Sequence, residues 1–491
     1  MTVAGAGQFY RWLDEAVPRA GSQRSLDSQD TTLSRRGLLI RADKRARELQ
    51  GLKIGAGDVV ALSMGNVAEF VILLLAVSKL GAIAMPVDPA NGDRSLLGVA
   101  ARLPVRAVLR RPRGLENSPL QYPEGYKLLA RRKLSGSLLE VDTLELPEEH
   151  RNYSFPGDTE YICETAGADG VLHDVLRSGA HLRWLGESAA KLLDLGPGTH
   201  LACAQAFTSP RFFDPVVLGW LASEARLVMA DNPTLESVLP PVGTYERLVV
   251  VDLLYSLQIA ARALKAAGAT RELLAVIPQA TIATSHGKLL KQVFGEHPRQ
   301  LLLLEEIGIL GVRVMHRGER FEPTPGIELR PGAPHYSPTH EGGHEVLFRP
   351  SMPVLTRPAV PAGQPGGPVQ GDSSFGSGGG WYHTGYLGHF TGRLDAASLG
   401  EVPGRIDSLV NLEGRRASLR TIEAAMLRHR RIHEATAEVE YDVDGNPFVH
   451  LRYRATGHTP LDDLDEFMVD SLPPYMVPRQ ATRLEPPPPA S

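Results

Sequence analysis

In residues 33–50 the apolar side chains Leu38, Leu39, Ala42, Ala46 and Leu49 recur at the spacing of one helical face, with arginines and lysines opposite. Ser34 stands where an N-cap belongs, because its hydroxyl can take an N–H that the first helical turn leaves unpaired. A Gly-rich turn at 55–58 then leads into the apolar run VVALSM, a helical span over 69–79 and the strand-like GAIAMPVDP. Strand, helix and strand joined by short turns call for a parallel sheet covered by helices. The same alternation returns at 201–230, 248–267 and 274–304, so a large α/β domain is expected.

After about residue 309 the texture changes. Short apolar stretches (LGVRVMH, IELRP, HEVLFRP) are separated by Gly and Pro, which leaves no room for long helices and predicts antiparallel strands or a small barrel over about 310–405. The α/β part is expected to stop there. Residues 356–380 are rich in Pro and Gly and read as a loop without a core of its own. From 404 onward the pattern predicts a compact α+β unit: a helix over 418–429, strands over 434–441 and 447–454, and a helix over 460–472. The division expected is therefore 1–405 for a large domain and 406–491 for a small mobile one, since 491 residues exceed one ordinary compact domain.

Composition narrows the partners. With 52 Lys and Arg against 56 Asp and Glu, and no block of like charge, the chain has no footprint for nucleic acid or a membrane surface, and a small, weakly charged partner is expected. Two cysteines, Cys163 and Cys203, cannot make a disulfide framework and suit a reducing compartment. The N-terminal stretch shows no signal-peptide pattern. The most apolar segment, 70–85, carries Lys79 and falls short of the roughly 20 apolar residues a membrane span needs. It reads as a buried helix followed by a strand, and a cytoplasmic location is expected.

Five stretches, in order, carry a resemblance. GDVVALSMGNVAEFVILLLAVSKLGAIAMPVDP from Gly57, the segment around Thr165, WYHTGYLGHF from Trp381, GRIDSLVNLEGRRASLRTIEAAM from Gly404 and LPPYMVP from Leu472 resemble the adenylate-forming superfamily of acyl-CoA synthetases, nonribosomal peptide adenylation domains and luciferases. The resemblance covers about 33–478 and implies a large AMP-binding domain with a small C-terminal domain. It also implies activation of a carboxylic acid by ATP and magnesium, often followed by transfer to coenzyme A or a phosphopantetheine carrier. Such chemistry needs a glycine- and hydroxyl-rich loop with a Lys around the triphosphate, a Glu for magnesium, an Asp for the ribose and a C-terminal Lys.

These positions are altered one after another. The phosphate loop falls on 165–174, where Thr165, Gly167 and Gly170 remain, His173 stands in the Lys place, and Asp169 and Asp174 add negative charge. This implies either a loop rebuilt for another ligand or a relaxed turn linking strand to helix. The magnesium motif falls on LLLLEEIGIL, where a shifted register brings in Glu305 or Glu306; the alternative is a solvated strand end. Tyr386 replaces the ribose Asp and cannot accept two hydrogen bonds from a diol. Arg405, the hinge Asp407 and Gly414, which the resemblance places at the pantetheine tunnel, are retained, while Asn411 stands where a Lys is usual. The sequence given stops at Ser491, before the place of the catalytic Lys.

The expectation is a degenerate relative, unable to form acyl-adenylates, that binds an acyl group or acyl-carrier protein or catalyses chemistry without ATP. The alternative is an active acid-thiol ligase with substituted machinery. No metal ligands are assigned: His340-Glu341-Gly342-Gly343-His344 has the letters of a zinc motif, but that motif needs a helix, and its two glycines and the following EVLFRP predict a hairpin.

Overall fold

A computed structural model describes residues 5–484 except 30, 112–119, 154, 167–171, 231–233, 280–286, 317–318, 338–339, 352–379, 393–396, 403, 406–408, 414, 444 and 457–460. The apolar run after Gly57 forms the strand Val59–Ser63, buried along its whole length and paired in parallel with Ile83–Pro86 and Val105–Arg110. These strands lie inside a seven-stranded sheet that ends in the antiparallel hairpin Thr159–Ala166 and Leu172–Ser178. A second sheet of nine strands is built on the parallel set Thr199–Ala202, Arg247–Val251, Leu274–Ile277 and Arg299–Leu304.

Helices fill the space between the two sheets. Ala68–Lys79 is buried almost all round, as its unbroken apolar run requires, and Arg35–Gly51 starts on Ser34, whose hydroxyl accepts from the Gly37 N–H at 3.1 Å. One apolar cluster contains Leu62 and Cys163 from the first sheet, Leu201 and Val249 from the second, and Leu38 and Leu73 from the helices between. Both cysteines are buried and unbridged.

The α/β part extends further than the sequence texture predicts. Gly308–Val314 is antiparallel, as expected, but it adds to the nine-stranded sheet beside Arg299–Leu304. Only the strands Ile327–Ser337, His340–Pro350, Tyr382–Gly388 and Gly404–Arg405 form a separate four-stranded antiparallel sheet. Most of the stretch 356–380 lies outside the described residues. The C-terminal unit holds the hairpin Leu409–Leu412 and Arg415–Ser418, the helices Leu419–Met426 and Leu464–Ser471, and the strands Ile432–Tyr441, Pro447–Ala455 and Gln480–Arg483. Leu412, Ile422, Leu451 and Met468 give it a core of its own. Among the described residues no helix is long and apolar enough to cross a membrane.

Candidate functional site

The C-terminal ends of parallel strands open on a crevice, because the helices that follow them turn to opposite sides. Here Asp88 follows Ile83–Pro86, the segment 204–209 follows Thr199–Ala202, Leu253 follows Arg247–Val251 and Glu305 follows Arg299–Leu304. The small unit closes this crevice with its hairpin at Asn411 and Arg415 and with Pro474 and Tyr475. Asn66 fixes one wall: its amide donates to the Gln205 carbonyl at 2.7 Å, and its oxygen accepts from the Phe207 N–H at 3.1 Å.

Two cavities of about 690 and 720 Å³ result. They share Asp88, Thr208, Ser209, Arg415 and Tyr475. Asp88 accepts from the Ala90 N–H at 2.7 Å with one carboxylate oxygen and pairs with Arg415 through the other. The Arg415 guanidinium lies 5.0 Å from the ring centre of Tyr475, so an ion pair with an aromatic backing stands at the partition between the cavities. The first cavity sets Phe70, Phe207, Phe212, Leu253 and Tyr255 beside the polar Gln205, Arg111 and Glu413, whereas the second presents Arg94, Glu164, Thr165, Glu305, Ser418 and Thr421.

Below the second cavity lies a buried charge network. Arg211, 1% exposed, donates from one nitrogen to Glu305 at 3.0 Å and to Asn411 at 2.5 Å. The Thr165 hydroxyl donates to the other Glu305 oxygen at 3.1 Å. Arg177 meets Asp214 at 2.5 and 3.1 Å and donates to the Glu305 backbone carbonyl at 2.8 Å. Arg102 holds Asp174 at 3.0 Å and also pairs with Glu164, whose carboxyl burial pushes above its ordinary range. Thus the charge of Asp174, expected to face a ligand, is met by Arg102 at the end of the helix Gly92–Arg102.

Glu305 corrects a second expectation. It is 4% exposed and not a solvated strand end, because Arg211 and Thr165 come from distant parts of the chain to satisfy it. Thr165 and His173 oppose each other on neighbouring strands, so the segment between them joins strand to strand and not strand to helix. Gly167, Gly170, Asp407 and Gly414 lie outside the described residues. Arg405 pairs with Tyr386 in the four-stranded sheet. Tyr386 itself is buried beside Leu302 and Val346, with its hydroxyl donating to the Leu303 carbonyl at 3.3 Å, and it does not line either cavity. Arg211 carries no signal in the sequence, whereas Asp88, Arg415 and Tyr475 lie within the stretches that carry the resemblance, where local pattern shows the fold but not their meeting at the cleft. The stretch with the letters of a zinc motif lies on the strand His340–Pro350, paired with Ile327–Ser337, and no cluster of three or more metal-ligating side chains occurs among the described residues.

Comparison with known proteins fits this architecture. Residues 13–163 match the family model "AMP-binding enzyme". Gramicidin S synthase 1 of Brevibacillus brevis is 33% identical over 85 residues, which are 17% of this chain and 8% of that synthase, so the chain spans a small part of such assemblies. Novobiocin biosynthesis protein H of Streptomyces niveus is 26% identical over 508 residues, covering 96% of this chain and 78% of that protein. The o-succinylbenzoate CoA synthetase of Bacillus subtilis, solved with a product analogue, superposes with a TM-score of 0.73 at 15% identity, over 97% of this chain and 95% of that one. With its sheets, its crevice at the strand ends and these relatives, the chain belongs to the adenylate-forming superfamily of AMP-binding enzymes.

Proposed function

We propose that this protein binds an acyl group, as a carboxylic acid or on the thiol arm of coenzyme A or an acyl-carrier protein, in the cleft between its two units, without forming an acyl-adenylate. The observation that carries this reading is in the second cavity, where Glu164, Glu305 and Asp88 are paired with Arg102, Arg211 and Arg415, so these three cations are engaged by the protein's own carboxylates and not offered to a triphosphate. The Thr165 hydroxyl, which a phosphate loop would offer to the ligand, is engaged by Glu305. With that hydroxyl and these cations engaged within the protein, the residues present do not fit ATP. The first cavity, at about 690 Å³, combines an aromatic wall with polar groups at its rim and has the size of a small-molecule site suited to an acyl chain or a pantetheine arm. Such a protein acts as a binding partner in a biosynthetic pathway, or as a catalyst that does not need ATP, in the cytoplasm and without nucleic acid or membrane partners.

A second reading, an active acid-thiol ligase, is favoured by one feature. Glu305 stands within hydrogen-bond reach of Thr165, where a carboxylate beside the loop could hold magnesium. Calorimetric titration with ATP and magnesium, followed by coenzyme A and a pantetheinylated carrier protein, separates the two. Carrier or coenzyme binding without nucleotide binding supports the proposal. Tight ATP binding with pyrophosphate release on adding a carboxylic acid returns the protein to the ligases.

A further inference from the structure

We infer that Arg211 is the receiving half of a docking joint for the small unit, that the hairpin at Asn411 is its resident partner, and that this joint holds the two units in one orientation. Arg211 is fixed from behind by Glu305 at 3.0 Å and by the Pro278 carbonyl at 3.4 Å. The nitrogen that donates to Glu305 also donates to the Asn411 amide oxygen at 2.5 Å, across the boundary between the units. Asn thus supplies, from the small unit, a second acceptor for a buried donor that Glu305 already holds in place.

The identity of residue 411 decides the joint. The Lys that the family resemblance leads one to expect would bring an ammonium against a buried guanidinium, and like charges in a poorly hydrated site repel strongly. Asn411 is thus the compatible partner of Arg211 and more than the loss of a lysine. Two contacts elsewhere on the interface complete the joint: Arg415 with Asp88, and the Arg94 guanidinium donating to the Asp470 carbonyl at 2.8 Å. Three separated contacts leave a rigid unit little freedom to rotate. They also keep Arg415–Ser418 packed beside Thr159–Ala166. A chain so jointed presents its cleft in one fixed form.

The test uses the full chain with spin labels on cysteines introduced at Leu138 and Val443, which are 71% and 102% exposed, because the native Cys163 and Cys203 are buried. Pulsed dipolar spectroscopy of this parent is expected to give a single narrow distance. Asn411→Lys is expected to add a second distance or at least double the width of the distribution, whereas Asn411→Asp, which keeps an acceptor for Arg211, should leave it narrow. Asp88→Asn attacks the joint at another contact and should broaden it too, which decides the matter if Asn411→Lys fails to fold. Two distances in the parent, or an unchanged narrow distance in both Asn411→Lys and Asp88→Asn, would overturn the inference. The readout involves no ligand, so it stands or falls apart from the proposed function.

Discussion

Arg177 and Asp214 face each other at 2.5 and 3.1 Å with neither side chain exposed to water. The pair sits where Leu172–Ser178 meets the helical turns 210–221, and Arg177 also holds the backbone carbonyl of Glu305 at 2.8 Å. Removing one partner of such a pair leaves the other charged and buried, which costs more than the pair itself contributes. Asp214→Ala is therefore expected to lower stability by about 3–5 kcal/mol in urea unfolding. The double variant Arg177→Met, Asp214→Leu should recover a large part of that loss. Equal losses in the single and double variants would refute the argument.

His181 predicts a pH dependence. It is fully buried, its Nε2–H donates to the Ile307 carbonyl at 2.9 Å, and burial with Arg177 nearby pushes its pKa down to about 3. The unfolded chain takes up a proton on this residue below about pH 6.5, while the folded chain does not until far lower. Its contribution is therefore full above about pH 6.5 and is lost as the pH falls towards 3, at about 1.4 kcal/mol per pH unit. Chemical denaturation of the protein and of His181→Gln between pH 7 and 4.5 should show a slope shallower by about one proton in the variant. Equal slopes would show that His181 titrates in the fold as it does in water.

Local pattern made much of the fold legible. Helix Arg35–Gly51, its Ser34 cap and the strand Val59–Ser63 depend on neighbours within a few residues, so spacing and capping chemistry reveal them. For the strand Gly308–Val314 the pattern leaves antiparallel strands or a small barrel open, because Gly and Pro punctuation shows where a strand ends but not which sheet it joins. The site was less legible for a similar reason. Glu305 looks like a solvated end until Arg211, 94 residues away, is placed against it, and Tyr386 looks like a ligand contact until its ring is seen in the core. Charge pairing and burial are long-range properties, and a single sequence does not display them.

Gly308 occupies a conformation that other residues resist. Its φ is +114°, and an added Cβ would lie 2.1 Å from a Leu185 methyl and 3.6 Å from an Asp214 oxygen. Gly308→Ala adds backbone strain to overpacking, and a loss of at least about 2 kcal/mol is expected in thermal or urea unfolding. Leu185→Ala makes room for the methyl but leaves the strain, so the double variant should be less destabilised than the sum of the two singles. Strict additivity would mean that the methyl is accommodated elsewhere.

Arg102 balances two carboxylates, Asp174 at 3.0 Å and Glu164, which lines the second cavity. In Arg102→Ala these groups lose the cation between them and repel each other, which pushes the Glu164 carboxyl, already raised by burial, further above its ordinary range. A raised folded pKa contributes stability below the unfolded pKa and loses it as the pH rises through the folded one. The variant should then fall below the protein by about 1–2 kcal/mol at pH 7, and the gap should close as the pH approaches 4. Urea unfolding of both at pH 4.5, 6 and 7.5 measures this. A gap that stays constant with pH would mean that Arg102 acts by packing, whereas a closing gap identifies its charge, set between Glu164 and Asp174, as what the fold requires.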